Sequence, residues 1–240
     1  MLRTIKNIVI GLLEVRLIKK ILINYYVKLA PLEKQLKNLK LLFGDSNVMD
    51  KVQYIPIQTI IFNPYNIKKE MINLFINDNK IHLLNGELYF SDMGSLYSLI
   101  DEILINEEYY FKSKVDNPII IDCGTNVGFS IYYFKVLYPE SKVIGFEPVD
   151  ELREIALKNI KLNNFDNVEI LPYAISDSNS KTIFKMSNNS SQAGSLTDRR
   201  TYFKDSIDEF EVPCRKLSKF INGPINYLKL DIEGSEDIVM

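Results

Sequence analysis

The second half of the chain switches between two hydrophobic periods. "PIIID" (Pro118–Asp122) is an unbroken apolar run ending in an acid, the pattern of a parallel strand buried on both faces. "GFSIYYFKVLYP" follows with helical spacing and is stopped by Pro139. "KVIGFE" predicts a second strand. "DELREIALKNIKLNN" predicts a helix with Asp150 as N-cap and Leu152, Ile155, Ala156 and Ile160 on one face. "NVEILPYAI" predicts a third strand and "YLKLDI" (Tyr227–Ile232) a fourth. Alternating strands and helices predict an α/β fold with a doubly wound, Rossmann-like parallel sheet.

The first half has a different texture. Helical spacing runs from Ile5 to Phe43, with a break at Ala30-Pro31. From Tyr54 to Asp92 short β-rich runs take over, and Asn85-Gly86 between "IHLL" and "ELYF" predicts a hairpin whose turn uses positive φ. Residues 94–111 predict a helix leading into the core. Three regions result: a helical segment at 1–50, a β-rich extension at 51–98 and the α/β domain at 99–240. Between the third and fourth strands, "KMSNNSSQAGSLTDRRTYFKDS" has the composition of a solvated loop or of a lid over the sheet.

Charge divides the chain along the same line. Residues 1–40 hold nine Lys or Arg against Glu14 and Glu33, whereas the remainder is net acidic and the whole chain carries −2. Such a balance argues against a nucleic-acid partner. In 1–25 the apolar run is cut short by Glu14, Arg16, Lys19 and Lys20, too early for a spanning helix. A basic amphipathic helix there fits either packing on protein or peripheral contact with an anionic membrane. Two cysteines, Cys123 and Cys214, make no disulfide framework and suit a reducing, cytoplasmic setting. The single histidine, His82, excludes a multi-histidine metal site and reads as a half-exposed strand residue.

The junction "DCGTNVG" carries the candidate chemistry. Ligands of parallel sheets bind beyond the carboxyl ends of the strands, where strand order reverses. The dinucleotide fingerprint fails, because Asn126 and Phe129 stand where it needs glycine, and no phosphate-loop lysine is present. The pattern present is D-x-G-x-N-x-G over Asp122, Gly124, Asn126 and Gly128, and it resembles motif I of class I S-adenosylmethionine-dependent methyltransferases. Glu147, closing the second strand, is placed to accept hydrogen bonds from two ribose hydroxyls. "YLKLDIEGSE" (Tyr227–Glu236) resembles the K-x-D-x-E-G-x-E signature of the FkbM family, and "FEPVDELREIALKNIKLNN" and "EILPYAISDS" resemble its second and third motifs.

The resemblance spans residues 99–240 and implies methyl transfer from S-adenosylmethionine, usually to a hydroxyl oxygen. It implies that Asp122, Gly124, Asn126 and Gly128 line the methionine end, Glu147 the ribose, and Ala174 with Ile175 the adenine. Asp231 and Glu233 would face the reacting methyl, as base or orienting group, with no metal assigned. Lys229 shares a strand face with Asp231, so an ion pair between them is the structural alternative. The acceptor would be a small molecule, glycan or lipid-linked hydroxyl, and oligomeric state stays open. Two departures stand out. Ser218 occupies a position where the family commonly has an acid, and the chain stops at Met240, so the resemblance implies missing C-terminal strands and an exposed fourth strand. A catalytically inactive or fragmentary module of the same fold is the alternative reading.

Overall fold

The computed structural model describes residues 37–44, 46–47, 67–187, 194–196, 207–232 and 236–239. The amphipathic segment 1–25, most of the first predicted helix and Glu233 lie outside them. The chain divides into two compact units, one comprising residues up to Asp78 with His82–Leu84, the other Asn79–Ile81 with Asn85–Met240.

In the first unit, a helical stretch at 37–43 and helix α1 (Ile67–Asn73) bury Leu39, Phe43, Ile72 and Phe75, and the rings of Phe43 and Phe75 stack at 4.0 Å. Helix α1 replaces part of the β-rich texture read between Tyr54 and Asp92. The IKKEMIN run is rich in good helix formers, and burial of Ile72 outweighs the isoleucines' β preference. His82 is half-buried on a strand, as expected.

A short ribbon comprises β1 (Ile76–Asn77), β2 (Lys80–Leu83) and β3 (Gly86–Tyr89). The hairpin at 84–85 exists, but its turn does not use the positive φ predicted for Asn85-Gly86. The residues with left-handed backbone are Asp78 and Asn79, at φ 51° and 57°, in the β1–β2 turn. Gly86 has another reason to lack a side chain: a Cβ there would stand 2.1 Å from Oδ1 of Asn163.

In the second unit the strands β4 (Ile119–Cys123), β5 (Lys142–Phe146), β6 (Val168–Leu171) and β11 (Tyr227–Leu230) form a parallel sheet in the order β11-β4-β5-β6. Helices α3 (Phe129–Leu137) and α4 (Asp150–Leu162) make the crossovers. Successive strands run outward from β4 to β6, and β11 then returns to the other side of β4. The reversal places a crevice at the carboxyl ends of β4 and β11. This is the Rossmann-like α/β architecture expected from the sequence, and β11 is an edge of the sheet among the described residues.

Four local expectations are corrected. Asp150 is the first residue of α4, not its cap; Val149 takes that place and Asp150 bonds Arg153 at 2.6 Å. The run 168–176 is two strands in different sheets, because Pro172 and Tyr173 separate β6 from β7 (Ala174–Ser176). The helix read over 94–111 is α2 (Met93–Leu99) continued by a π-helical stretch, Ile100–Ile105, and it stops at Asn106 before Glu107 turns to φ 54°. Parts of the polar insertion are strand: its first three residues end β8 (Lys181–Ser187) and two more form β9 (Gly194–Ser195), which with β10 (Ile207–Lys216), just after the insertion, join β7 in a second sheet, ordered β7-β10-β8-β9.

Helix α4 is tied to β3 by an unusual side-chain ladder. The carboxamide of Asn159 accepts from Tyr89 N at 2.7 Å and donates to Tyr89 O at 3.0 Å and Val127 O at 2.8 Å. One turn later, Asn163 accepts from Glu87 N and donates to Glu87 O. Two asparagines four apart on one helix face thus supply the donors and acceptors of a neighbouring strand.

Candidate functional site

The turn after β4 is built by left-handed backbone at Gly124 (φ 86°), Asn126 (φ 52°) and Gly128 (φ 89°). The N–H groups of Gly124 and Thr125 both donate to Phe146 O, at 3.1 and 3.0 Å, which ties the turn to the end of β5. A Cβ on Gly124 would stand 2.0 Å from the carbonyl oxygen of Asp231, so no larger residue fits between the two strand ends. Gly128 opens α3 against Ala156 of α4.

Beneath the turn lies a buried charge cluster. Lys229 and Asp122 are register partners on adjacent strands, 4% and 0% exposed, with Nζ 3.0 Å from Oδ1. The same ammonium donates to Gly124 O at 2.8 Å and lies 3.9 Å from Asp231 Oδ2. Burial pushes Lys229 down, but the carboxylates of Asp122 and Asp231 outweigh that and hold it above its ordinary value. The Ser130 hydroxyl donates to Asp122 Oδ2 at 2.5 Å. Lys229 therefore pairs chiefly with Asp122, and the ion pair with Asp231 foreseen from strand spacing is the longer contact.

Glu147 follows β5. Its Oε2 accepts from Asn126 N at 2.8 Å and its Oε1 from Val149 N at 2.9 Å, so the carboxylate fixes both the glycine turn and the entry to α4. Burial pushes its pKa up to about 7, against the lowering effect of those two N–H donors and of Lys229. Each carboxylate oxygen keeps a lone pair for a further donor.

These parts open on one cleft of about 850 Å³, mouth included, within the range of small-molecule sites. Gly124, Asn126, Glu147, Ala174, Ile175 and Asp231 line it; Asp122 and Gly128 lie behind its wall, and Glu233 is outside the described residues. Asp231 is 49% exposed at the side chain, and its Oδ2 accepts from the Tyr109 hydroxyl at 2.6 Å. The sequence reading passed over Tyr109 and Ser130, and it passed over Lys229 as the hub of the cluster. Tyr109 carries no signal of its own, because only the stop of the helix at Asn106 brings it over the end of β11. The second sheet adds Phe184, Gly194 and Leu196 to the far wall.

A parallel sheet reversing at β4, with a glycine turn under a cleft and an acid closing the next strand, defines the class of Rossmann-like methyltransferase folds. The Methyltransferase FkbM domain matches residues 122–240, and this stretch of the chain belongs to the FkbM methyltransferase family. "Methyltransferase 1" of Beauveria bassiana is 27% identical over 157 residues, which are 56% of this chain and 62% of that protein. "Methyltransferase sdnD" of Sordaria araneosa is 32% identical over 78 residues, 32% of this chain and 30% of that protein. Among solved structures, an FkbM methyltransferase from Methylobacillus flagellatus aligns at 17% identity and TM-score 0.36, over 73% of this chain and 44% of its own. The chain thus spans less than two thirds of the length of each of these relatives. Among the described residues no helix is long and apolar enough to cross a membrane.

Proposed function

We propose that the chain binds S-adenosylmethionine in this cleft and transfers its methyl group to a hydroxyl oxygen of a glycan, lipid or other small-molecule acceptor. The observation that carries the reading is the convergence on one cleft of the bare turn at Gly124, the buried carboxylate of Glu147 and the half-exposed carboxylate of Asp231. The donor set fits the cofactor. Two ribose hydroxyls match the remaining acceptor capacity of Glu147, Asn126 stands at the methionine end, and Leu152, Tyr173, Ala174 and Ile175 offer apolar surface to an adenine. Among the described residues the cation beside the turn is Lys229, whose ammonium is engaged by Asp122 and by Gly124 O.

S-adenosylmethionine supplies an activated methyl when bound. The protein's part is to hold an acceptor oxygen in line and exclude water, which accounts for most of the acceleration in such displacements. Asp231 takes the role of general base for the hydroxyl proton, being a half-exposed carboxylate in the cleft lining at the end of β11. Asp122 acts on the turn through Lys229 rather than on the ligand. The basic segment 1–25 supports a peripheral membrane contact of a cytoplasmic protein, which vesicle flotation with and without those residues tests directly.

Isothermal titration of the full chain with S-adenosylmethionine and S-adenosylhomocysteine tests the assignment. Saturable binding that Glu147→Ala weakens is expected, and a wild-type chain that binds neither ligand overturns it. Labelled-methyl transfer to panels of hydroxyl-bearing glycans and lipids would then identify the acceptor.

A further inference from the structure

Tyr109 precedes the residues matched by the family domain, yet it meets the carboxylate given the base role. Its hydroxyl donates to Asp231 Oδ2 at 2.6 Å, and its ring lies 5.0 Å from Lys229 Nζ. The segment that carries it is clamped. Asn106 N and Glu108 N donate back to Asp101 O and Glu102 O, and Tyr110 N donates to Glu107 O at 2.8 Å in a tight turn. Phe111 stacks on Tyr227 at 4.3 Å and packs on Tyr138 at 5.0 Å, while the Tyr138 hydroxyl donates to Phe111 O and accepts from Ser113 N. Tyr109 itself leans on Phe134. Burial and the adjacent carboxylate push its phenol above its ordinary value, so it stays a donor across the working pH range.

The backbone of Asp231 is equally constrained. Its N–H continues the β-ladder to Cys123 O at 3.2 Å, and its carbonyl abuts Gly124. With backbone fixed, the two side-chain torsions, χ1 and χ2, decide where the carboxylate oxygens point. We infer that Tyr109 is a positioning residue: by occupying Oδ2 it orients Asp231 so that the second carboxylate oxygen serves the reacting centre. The inference rests on the S-adenosylmethionine reading and assigns a functional role to the segment before β4.

The test needs no acceptor. Sinefungin carries a protonated amine in place of the transferable methyl, so the ratio of its affinity to that of S-adenosylhomocysteine reports the charge held at the reacting position. Titrations with both ligands are compared for wild type, Tyr109→Phe, Asp231→Asn and the double variant. The ratio is expected to fall about tenfold in each single variant and no further in the double, a coupling that lost packing alone would not produce. A ratio unchanged in Tyr109→Phe, or losses that multiply in the double variant, overturns the inference while leaving the cofactor reading intact. Failure of the wild type to bind either ligand overturns both.

Discussion

Replacing Lys229 by Met removes the cation from the centre of the site and keeps most of its stem volume. In the native chain Asp122 is fully buried, and its neighbours are the ammonium at 3.0 Å and the Ser130 hydroxyl. Removing one partner of a buried pair costs about 3 to 5 kcal/mol, because the surviving charge is left desolvated without compensation. The contact with Asp231 adds little, since it is 3.9 Å long and half-exposed on the carboxylate side. Lost hydrogen bonds to Gly124 O and Cys123 O act in the same direction. A loss of about 4 kcal/mol is a large share of the 5 to 15 kcal/mol available to an ordinary domain. Urea unfolding of Lys229→Met, followed by circular dichroism at pH 7, should show it as a lowered midpoint with little change in slope. The double variant Asp122→Asn with Lys229→Met should recover more than half, since an amide needs no counter-charge. A single-variant loss below about 1 kcal/mol, or a double variant no better than the single, would refute the assignment of a paired, desolvated charge.

Glu147 makes folding and ligand binding respond oppositely to pH. Its folded pKa of about 7 exceeds the ordinary value of 4.5, so the native state holds a proton that the unfolded chain has released, and stability falls as pH rises from about 4.5 to about 7. Binding of a ribose diol needs the ionised acceptor, so S-adenosylhomocysteine affinity should rise over the upper part of that window. Glu147→Gln should flatten both profiles, and an unchanged binding profile in that variant would remove Glu147 from the ribose site. Asn159→Ala strands three backbone groups at Tyr89 and Val127 and should cost about 3 kcal/mol. Hydrogen exchange at the Tyr89 amide is the sharper readout, because protection that survives the substitution would show that the side-chain ladder does not hold β3.

The legible parts of the fold are those in which local pattern and tertiary environment agree. "IIIDC" is buried almost throughout and α4 carries its apolar stripe, so β4, β5, β6, β11 and both crossover helices could be read from spacing. The second sheet could not. Its hairpin β8–β10 leaves Ile183 exposed and carries Lys181, Lys185, Glu209 and Glu211 as cross-strand charges, a composition shared with solvated loops. The helix stop at Asn106 was hidden for another reason: Glu107, which takes the left-handed backbone, is neither Gly nor Asn and so carries no stop signal. Asn159 and Asn163 carry no local signal, because their partners on β3 lie 70 and 76 residues away in sequence.

The two sequence motifs of the site make structural sense only together. Lys229 stands beside Asp122 in register across β11 and β4, which places Asp231 beside Gly124 one pleat further on. The first pair neutralises charge beneath the turn, and the second is the close approach of the Asp231 carbonyl to a residue without a side chain. K-x-D on β11 is thus matched by D-x-G on β4 across the ladder. The lysine is paired with the buried Asp122, while the Asp231 carboxylate two residues on lines the cleft. This pairing explains why the glycine turn by itself is a weak indicator of function, whereas the turn with its lysine-bearing neighbour strand specifies a site with an acid at one end and a buried acceptor, Glu147, at the other.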